Sequence, residues 1–388
     1  MAPAPLHGIT VLDLSSVGPA SRASSMLADY GAAVIKVGPT SRKSSVQIRP
    51  PFFSYGAGRG TRRVRIDLKS DAGREAFLRL AGSADVMIES FRPGVVARMG
   101  IGYDAVKERN PGIVYCSTTG YGQDGPRARW AGHDLNYLAV GGFLHCSGRR
   151  EDGGPTIPGA TVADSAAGGM QAVIAILAGL CQRGATGEGA YLDVSVSDGV
   201  LQLMSLHVDE HLATGAEPGP RTSVLTGRYA YYDVYETRDG KWLAAGAIEP
   251  AFFANLCRAL ELEQWIPHQN DDARQDEIRA AFRKAFAKRD RDDWLAELGP
   301  ADTCVAPVNT ISDVVDDPQF TSRRAFLDAK HPQHGSFRQV GPVLAGGDRE
   351  QSPHQVAPDE ATDTEAVLRE AGVGDEEIAA LRRDGVVE

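Results

Sequence analysis

The residues best suited to chemistry begin in the stretch AGHDLNY, where His133 is followed directly by Asp134. The pattern predicts that His133 stands at a helix start, where unpaired backbone N–H groups attract negative charge. A histidine–carboxylate pair in this position can serve as a base, a metal ligand or a helix cap. The local pattern alone favours a structural histidine with Asp134 as the cap.

Two further carboxylates are candidates for chemistry, and each also has a simpler structural interpretation. Asp164 precedes the apolar stretch SAAGGMQAVIAIL, and aspartate is a frequent helix N-cap. Glu249 stands directly before Pro250, and proline is favoured at the first position of a helix. Local grounds therefore favour an N-cap role for Asp164 and a solvated carboxylate for Glu249. The tyrosines of RYAYYDVYET are interpreted as hairpin packing rather than as a substrate cage.

Several common catalytic motifs do not occur in the chain. The first strand-to-helix turn, DLSSVGPASRASS, offers only Gly18 and is not the GxGxxG fingerprint of NAD or FAD enzymes. The sequence also contains no Walker loop, no HExxH and no GxSxG. Any chemistry must therefore come from the acids and histidines.

Composition narrows the class of protein further. The chain has 388 residues, of which 42% are apolar and 24% charged, the balance of an ordinary globular enzyme with two or three domains. A formal charge of −10 argues against nucleic acid as a partner. Five scattered cysteines without CxxC spacing predict no metal site and reduced, mostly buried thiols. Because we find neither a secretory signal nor 18 consecutive apolar residues, we expect a cytoplasmic protein without a membrane span.

The first 120 residues alternate between strand and helix patterns. Strands are predicted at 9–14, 32–37, 62–68, 85–90 and 112–120. Helices are predicted from Pro19 to Tyr30 and after Ser70 or Asp71, either of which can act as the N-cap. This alternation predicts a parallel sheet covered by helices.

The remainder of the chain divides by composition. Residues 161–183 are nearly all small or apolar and predict one long buried helix; a strand at 190–196 and the helix SDGVLQLMSLHVDEHLAT follow. After about residue 215 the composition changes, and RYAYYDVYET and KWLAAGAI predict an antiparallel hairpin. We interpret 222–320 as a smaller second domain, followed by a tail with two short amphipathic helices.

Several longer segments carry a family resemblance. They include GITVLDLSSVGPASRASSMLADYGAAVIKV, ADVMIESFRPGVVARMGIGYD, GIVYCSTTGYGQDGP, AGHDLNY and APVNTISDVVDDPQF, in this order along nearly the whole chain. Together they resemble the family III CoA-transferase and α-methylacyl-CoA racemase family. AGHDLNY, the aspartate of ATVADSAAGGM, and GAIEPAFF resemble its racemase branch.

The resemblance implies an α/β fold in two domains. A Rossmann-like large domain with a parallel sheet, residues 1–215, would bind CoA and be completed by C-terminal residues 325–388. Residues 222–320 would form the smaller α+β domain. The family also implies a homodimer whose two chains are interlocked.

The resemblance further implies racemisation of 2-methylacyl-CoA thioesters by 1,1-proton transfer through an enolate. His133 and Asp164 would be the two bases, and the N–H of Asp134 would meet the enolate oxygen. Glu249, from either subunit, would hydrogen-bond the histidine. No cofactor is implied, because coenzyme A is part of the substrate. The acyl group stays open among branched fatty, sterol side-chain and aryl-propionyl thioesters.

Two other functions stay open at this stage. In the transferase branch, the residue corresponding to Asp164 is a nucleophile that forms an acyl anhydride and then an enzyme–CoA thioester. That branch carries a glycine-rich loop in the small domain, whereas this chain reads AAGAIEPAFF there. A non-catalytic acyl-CoA-binding protein is the third possibility, and the intact set His133, Asp164 and Glu249 argues against it.

CoA contacts are expected from basic side chains and from the AGHDLNY segment. The resemblance implicates the following residues: Lys69, Arg92, Arg98, Gly132, Asp134 and Tyr137. The chain departs from the racemases at Pro39, where they carry an arginine, and Arg42 is the candidate replacement. The long aromatic segment SSVQIRPPFFSYGAGRG is a candidate for shaping the acyl site.

Overall fold

The computed structural model describes residues 3–40, 51–54, 58–350, 353–358 and 361–388. These residues form two compact units. The first unit comprises the chain up to Gly141, Pro158–Met204 and Pro318–Glu388. The second comprises Gly142–Ile157 and Ser205–Asp317.

Twelve strands lie within the described residues. They are β1 (Thr10–Asp13), β2 (Ala33–Gly38), β3 (Thr61–Arg65), β4 (Val86–Glu89), β5 (Val114–Thr119), β6 (Ala190–Ser195), β7 (Tyr232–Glu236), β8 (Trp242–Gly246), β9 (Val305–Pro307), β10 (Phe326–His331), β11 (Gly335–Val340) and β12 (His354–Gln355).

The α-helices of the described residues follow in chain order. They are α1 (Gly18–Asp29), α2 (Asp71–Gly82), α3 (Val95–Arg98), α4 (Tyr103–Arg109), α5 (Asp134–Val140), α6 (Phe143–Cys146), α7 (Gln171–Thr186), α8 (Val196–Leu203), α9 (Ser205–Thr214), α10 (Pro250–Ala259), α11 (Gln275–Phe286), α12 (Arg291–Leu298), α13 (Ile311–Asp316), α14 (Pro318–Ser322), α15 (Thr364–Glu370) and α16 (Asp375–Arg383). A π-helix, Ala163–Met170, precedes α7, and short 3₁₀ helices occur at Val224–Thr226, Glu263–His268 and Asp272–Arg274.

The first unit is built on a six-stranded sheet in the order β3-β2-β1-β4-β5-β6, and every pairing is parallel. The predicted α/β fold is therefore confirmed. Strands β4 and β5 are buried along their whole length, as expected for central strands of a parallel sheet covered on both faces. The strand order reverses between β1 and β4, and in open α/β sheets ligands bind outside the carboxyl ends of the strands at such a point.

Helices cover both faces of this sheet. On one face, side chains from α1 and α7 pack into a core with β1, β4 and β5. On the other, α2 and α4 share a core with the C-terminal residues Leu368, Leu381 and Val387. The chain end is also tied to the sheet edge, because Ile66 pairs with Val387 and the Asp67 N–H donates to the Val386 carbonyl at 2.8 Å. Ser70 is the N-cap of α2, as predicted.

The long apolar stretch differs from its prediction in two respects. It is a π-helix continued by α7 rather than one regular helix, and it is not buried on all sides. Ile174 is 68% exposed because only one face of α7 packs on the sheet and α1. By length and composition, Ala163–Thr186 is long and apolar enough to cross a membrane, but the core helices of soluble proteins pass the same test. Here this segment packs on α1, β5 and β6.

The second unit contains the antiparallel sheet β7-β8-β9, so the predicted hairpin is confirmed. Tyr231 and Tyr235 are buried in its core with residues of α10, α11 and α12. The helix predicted after β6 is in fact two helices, because α8 ends at Leu203, next to the point where the chain passes into the second unit. The cysteines form no disulfide in the described residues, but only Cys116 and Cys257 are buried, so the expectation of mostly buried thiols was wrong.

Close packing of α8 on the π-helix gives a test of this architecture. A Cβ at Gly199 would lie 2.0 Å from the Ala167 carbonyl oxygen, whereas a Cβ at Gly184 of α7 meets nothing within 4 Å. We expect Gly199→Ala to lower the free energy of unfolding by about 1–3 kcal/mol. The matched change Gly184→Ala should raise it by roughly 0.5–1 kcal/mol, because it removes a helical glycine. Guanidinium unfolding monitored by circular dichroism measures both, and equal effects would contradict the packing.

Candidate active site

A cavity of about 490 Å³ opens in the first unit at the carboxyl ends of the parallel strands. Its walls come from the segments that follow β1, β4 and β5, from the start of α5, and from the π-helix. The lining residues include Val17–Pro19, Ser90–Pro93, Thr118–Tyr121, Ala128, Trp130–His133, Asn136, Tyr137, Asp164 and Val196. The cavity therefore lies where the strand order reverses, the usual ligand position in such sheets.

His133 stands at the N-cap position of α5, as predicted, and lines the cavity. Its backbone N–H donates to Asn136 Oδ1 at 3.0 Å. The interpretation of Asp134 as the cap of this helix was wrong, because Asp134 is the first helical residue and its carboxylate is used elsewhere. As the first residue of the helix, Asp134 has a backbone N–H for which the described residues supply no acceptor.

The Asp134 carboxylate joins α5 to the π-helix. Its Oδ1 accepts a hydrogen bond of 2.8 Å from the backbone N–H of Asp164. Asp164 is the second residue of the π-helix, and Val162 holds the N-cap position, so the N-cap interpretation of Asp164 was wrong. Asp164 thus lies inside the helix rather than at its cap, and it lines the cavity.

The surroundings of Asp164 alter its acidity. Burial raises the pKa of the Asp164 carboxyl above its usual range, and the negative charge of Asp134 raises it further. The positive charge of Arg22 and the His133 imidazole oppose this rise. An imidazole and a carboxyl with a raised pKa thus line one cavity, and the carboxyl is more easily protonated than an exposed one.

Tyr137 forms part of the cavity floor and is nearly buried. Its hydroxyl donates to the Gly132 carbonyl at 2.6 Å, and its ring meets that of Tyr121 edge-to-face at 5.2 Å. A Cβ at Gly120 or Gly132 would lie 2.3 Å or 2.7 Å from the ring, so the position of this ring requires glycine at both sites. Burial raises the pKa of Tyr137 to about 12, which keeps the hydroxyl a neutral donor.

Of the other residues predicted to contact CoA, some line the cavity and others do not. Arg92 lines the cavity, together with Gly132 and Tyr137. Lys69 lies in the turn between β3 and α2, and Arg98 is the last residue of α3; the cavity lining of the described chain includes neither. Pro39 follows β2, whereas Arg42 lies outside the described residues, as does most of the segment 44–60.

Glu249 belongs to the second unit, where it is exposed at the N-cap position of α10. Pro250 is the first helical residue, as predicted, and no side-chain cap bond is formed by Glu249. Among the residues that the structure describes, no group of three or more histidine, cysteine or acidic side chains is arranged to hold a metal ion.

Two features near the site were not found from the sequence. Arg22 of α1 donates through Nη2 to Thr161 Oγ1 at 2.9 Å, beside the start of the π-helix. Trp130 lines the cavity with 59% of its surface exposed, with the Arg127 guanidinium 5.4 Å from its ring centre. The Arg22 contact joins residues 139 positions apart, and no local pattern indicates it.

The fold and the cavity define a doubly wound α/β protein with an imidazole and a carboxyl at the topological switch point. The family model for CoA-transferase family III matches residues 6–364, so the chain belongs to this family. It is 32% identical to the human α-methylacyl-CoA racemase, over 99% of this chain and 97% of that protein. It is 30% identical to the human succinyl-CoA:glutarate CoA-transferase, over 99% of this chain and 90% of that protein.

A solved structure of the same type supports the fold. The crystal structure of a CAIB/BAIF family protein from Brucella suis is 27% identical and superposes with a TM-score of 0.78. The match covers 95% of this chain and all of that one. Members of this family include both racemases and CoA-transferases at similar identity, so membership alone does not select the reaction.

The Tyr137 hydroxyl offers a test of the site geometry. We expect Tyr137→Phe to lower the free energy of unfolding by about 1–2 kcal/mol, because the half-buried Gly132 carbonyl loses its donor. Tyr30→Phe is the matched control, since it removes a 3.1 Å bond to the exposed Ala345 carbonyl and should cost under about 0.5 kcal/mol. Equal losses in chemical denaturation would contradict the placement of Tyr137.

Proposed function

We propose that the protein racemises 2-methylacyl-CoA thioesters by 1,1-proton transfer, with His133 and Asp164 as the two bases. The observation that supports this most directly is that both side chains line one cavity at the switch point of the sheet. One base removes the proton alpha to the thioester carbonyl, and the other returns a proton to the opposite face. Racemisation in this way needs no cofactor, because coenzyme A is part of the substrate.

The thermodynamic difficulty of this reaction is the weak acidity of the carbon. Each unit of pKa difference between the carbon acid and the base costs about 1.4 kcal/mol. Enolate stabilisation must offset this, and one preorganised N–H donor contributes roughly 3–4 kcal/mol. The N–H of Asp134, which starts α5 beside His133, is the donor that we assign to the enolate oxygen.

Proton exchange between two bases requires that one begins protonated and the other does not. The raised pKa of Asp164 supports this requirement, since burial favours its neutral form. In one direction the Asp164 carboxylate removes the proton and the imidazolium supplies one. In the other, neutral His133 is the base and the Asp164 carboxylic acid is the donor.

Several further residues complete the proposal. We assign Arg92 to an anionic part of CoA, and Gly132 and Tyr137 to the pantetheine and thioester, and the position of all three in the cavity lining supports this. Lys69 and Arg98 are assigned to the nucleotide end by family resemblance. Glu249 is assigned as the hydrogen-bond partner that orients His133, from either subunit.

We also propose that the protein works as a homodimer with interlocked chains. Exposed apolar side chains on α7 and α8 support a partner there: Ile174, Leu201 and Leu203 are about half exposed or more. Isolated apolar side chains on a surface are ordinary, but several on adjacent helices favour burial by another chain.

A CoA-transferase is the second candidate function. The chain is about as similar to the human succinyl-CoA:glutarate CoA-transferase as to the racemases. Asp164 would then attack the acyl-CoA carbonyl, form an acyl anhydride and release CoA thiolate. The thiolate attacks the Asp164 carbonyl carbon of the anhydride, expels the donor acid as its carboxylate and leaves an enzyme–CoA thioester. The stretch AAGAIEPAFF, without a glycine cluster, and the histidine at position 133 favour the racemase.

Incubation with one enantiomer of a 2-methylacyl-CoA in deuterated water separates these functions. We expect deuterium to enter at the alpha carbon, measured by mass spectrometry, together with loss of optical purity, measured by chiral chromatography. CoA transfer to a free acid without alpha exchange would establish the transferase instead. CoA binding with neither reaction would indicate a non-catalytic binding protein and end the proposal.

Substitution of each base gives a sharper prediction. Loss of a base should slow racemisation in both directions by about 10²–10⁴-fold, because the overall equilibrium is fixed. Alpha-hydrogen exchange should become asymmetric in each variant. His133→Ala should lose exchange mainly from one enantiomer, and Asp164→Asn mainly from the other. His7→Ala, at an exposed histidine outside the cavity, is the matched control. Unchanged exchange of both enantiomers in His133→Ala would remove His133 from the mechanism.

A further inference from the structure

Asp164 is bracketed by two charged side chains that are both anchored at the start of the π-helix. On one side, the Asp134 carboxylate accepts the Asp164 backbone N–H at 2.8 Å. On the other, Arg22 donates to the hydroxyl of Thr161, three residues before Asp164, at 2.9 Å. We call these two side chains the brackets of Asp164: Asp134 is the negative bracket and Arg22 is the positive one.

The Arg22 anchor is supported by close packing of α1 against the π-helix. A Cβ at Gly168 would lie 2.6 Å from Pro19 Cβ, and a Cβ at Gly169 would lie 3.2 Å from Arg22 Cβ. Glycine at both positions lets the two helices approach until the Arg22 stem runs along the π-helix. Since Pro19 also lines the cavity, α1 carries both a cavity wall and, one turn later, the guanidinium.

The Arg22 guanidinium has a single hydrogen-bond acceptor among the described residues, Thr161 Oγ1. It forms no ion pair within 4 Å there, in contrast to Arg59, which pairs with Asp29 at 2.8 Å. Its positive charge nevertheless acts on Asp164, where it opposes the charge of Asp134. Arg22 is therefore held by a neutral hydroxyl, and among the described residues it forms no ion pair that would stabilise the fold.

We propose that Asp134 and Arg22 are a pair of positioning residues for Asp164: Asp134 fixes the main chain of Asp164, and Arg22 balances the Asp134 charge at the Asp164 carboxyl. The inference rests on the proposed function only in taking Asp164 as the group that reacts. Asp134 thereby has two separate tasks, since its backbone N–H remains free for the substrate while its side chain holds the neighbouring helix.

Other charged and titratable groups also lie on the elements that pack against the π-helix. Besides Arg22 and Asp134 they are Asp29 on α1, His133 and Tyr137 of the α5 segment, Cys181 and Arg183 on α7, and Asp198 on α8. Asp29 is paired with Arg59, and Arg183 with Asp85. Of this set, Asp134, Arg22 and His133 act on the Asp164 carboxyl.

The two brackets can be removed separately with little change of shape. Asp134→Asn removes the charge but keeps an Oδ1 that can accept the Asp164 N–H. Arg22→Met removes the positive charge and keeps an unbranched stem against Gly169. Because a one-proton pair of bases is active, the acidic limb of the pH–rate profile reports protonation of that pair.

The experiment measures kcat/KM for alpha-deuterium exchange from pH 4 to 9 for each variant. We expect the acidic limb to move to lower pH in Asp134→Asn, because a negative neighbour of Asp164 is lost. It should move to higher pH in Arg22→Met, because the opposing positive charge is lost. If the acidic limb moves in the same direction in both variants, or moves in neither, the proposal is overturned. A merely structural role of Asp134 and Arg22 would not shift the acidic limbs of the two variants in opposite directions.

Additional variants keep the test decisive if one substitution impairs folding. Thr161→Val removes the acceptor of Arg22 and should move the limb in the same direction as Arg22→Met, by less. Arg22→Lys retains the charge and should restore the limb toward its original position. Arg62→Met, which breaks an exposed pair with Glu370 in the same unit, is the matched control and should leave the limb in place.

The outcome can be distinguished from failure of the proposed function. If the unmodified protein transfers CoA to a free acid without alpha exchange, the racemase proposal fails, but Asp164 is still the reacting group. The same limb, now measured for CoA transfer, then requires an ionised Asp164 nucleophile and should move in the same two directions. Opposite or absent movements would overturn the bracket whichever reaction is catalysed.

Discussion

The hydrogen bond between the Asp164 N–H and the Asp134 carboxylate is the interaction on which the site depends. It joins two helix starts that are 30 residues apart in the chain. Without it, the imidazole at the start of α5 and the carboxyl of the π-helix would have no direct link. A charge-assisted bond to a backbone N–H at a helix start is also among the stronger hydrogen bonds available to a protein.

This bond can form only because small residues let the surrounding helices approach closely. Gly168 faces Pro19 of α1, and Gly199 of α8 faces the Ala167 carbonyl, so the π-helix is held between two neighbours at short range. The wider turn of a π-helix changes the direction of the residues that follow, and such turns frequently occur at functional sites. Here it allows Asp164 to point to the cavity while α7 continues along the sheet.

The strands and helix starts of the first unit were predicted well from the sequence, because short local patterns indicate each of them. The alternation of strand and helix patterns indicated β4 and β5, Ser70 indicated the start of α2, and the AGHDLNY pattern indicated the start of α5. The π-helix was missed because its Ala- and Gly-rich composition is equally compatible with a regular helix. The side-chain task of Asp134 and the contact of Arg22 with Thr161 were missed because both join distant parts of the chain, and no residue near either partner indicates the other.

The arrangement also bears on how one carboxyl could serve either branch of the family. A nucleophile and a general base both need an ionised carboxylate, whereas a proton donor needs the neutral acid. Burial and the Asp134 charge favour the neutral form of Asp164, and Arg22 and His133 favour the ionised form. The racemisation proposed above uses both forms of Asp164 in turn, and the protein holds groups that favour each form.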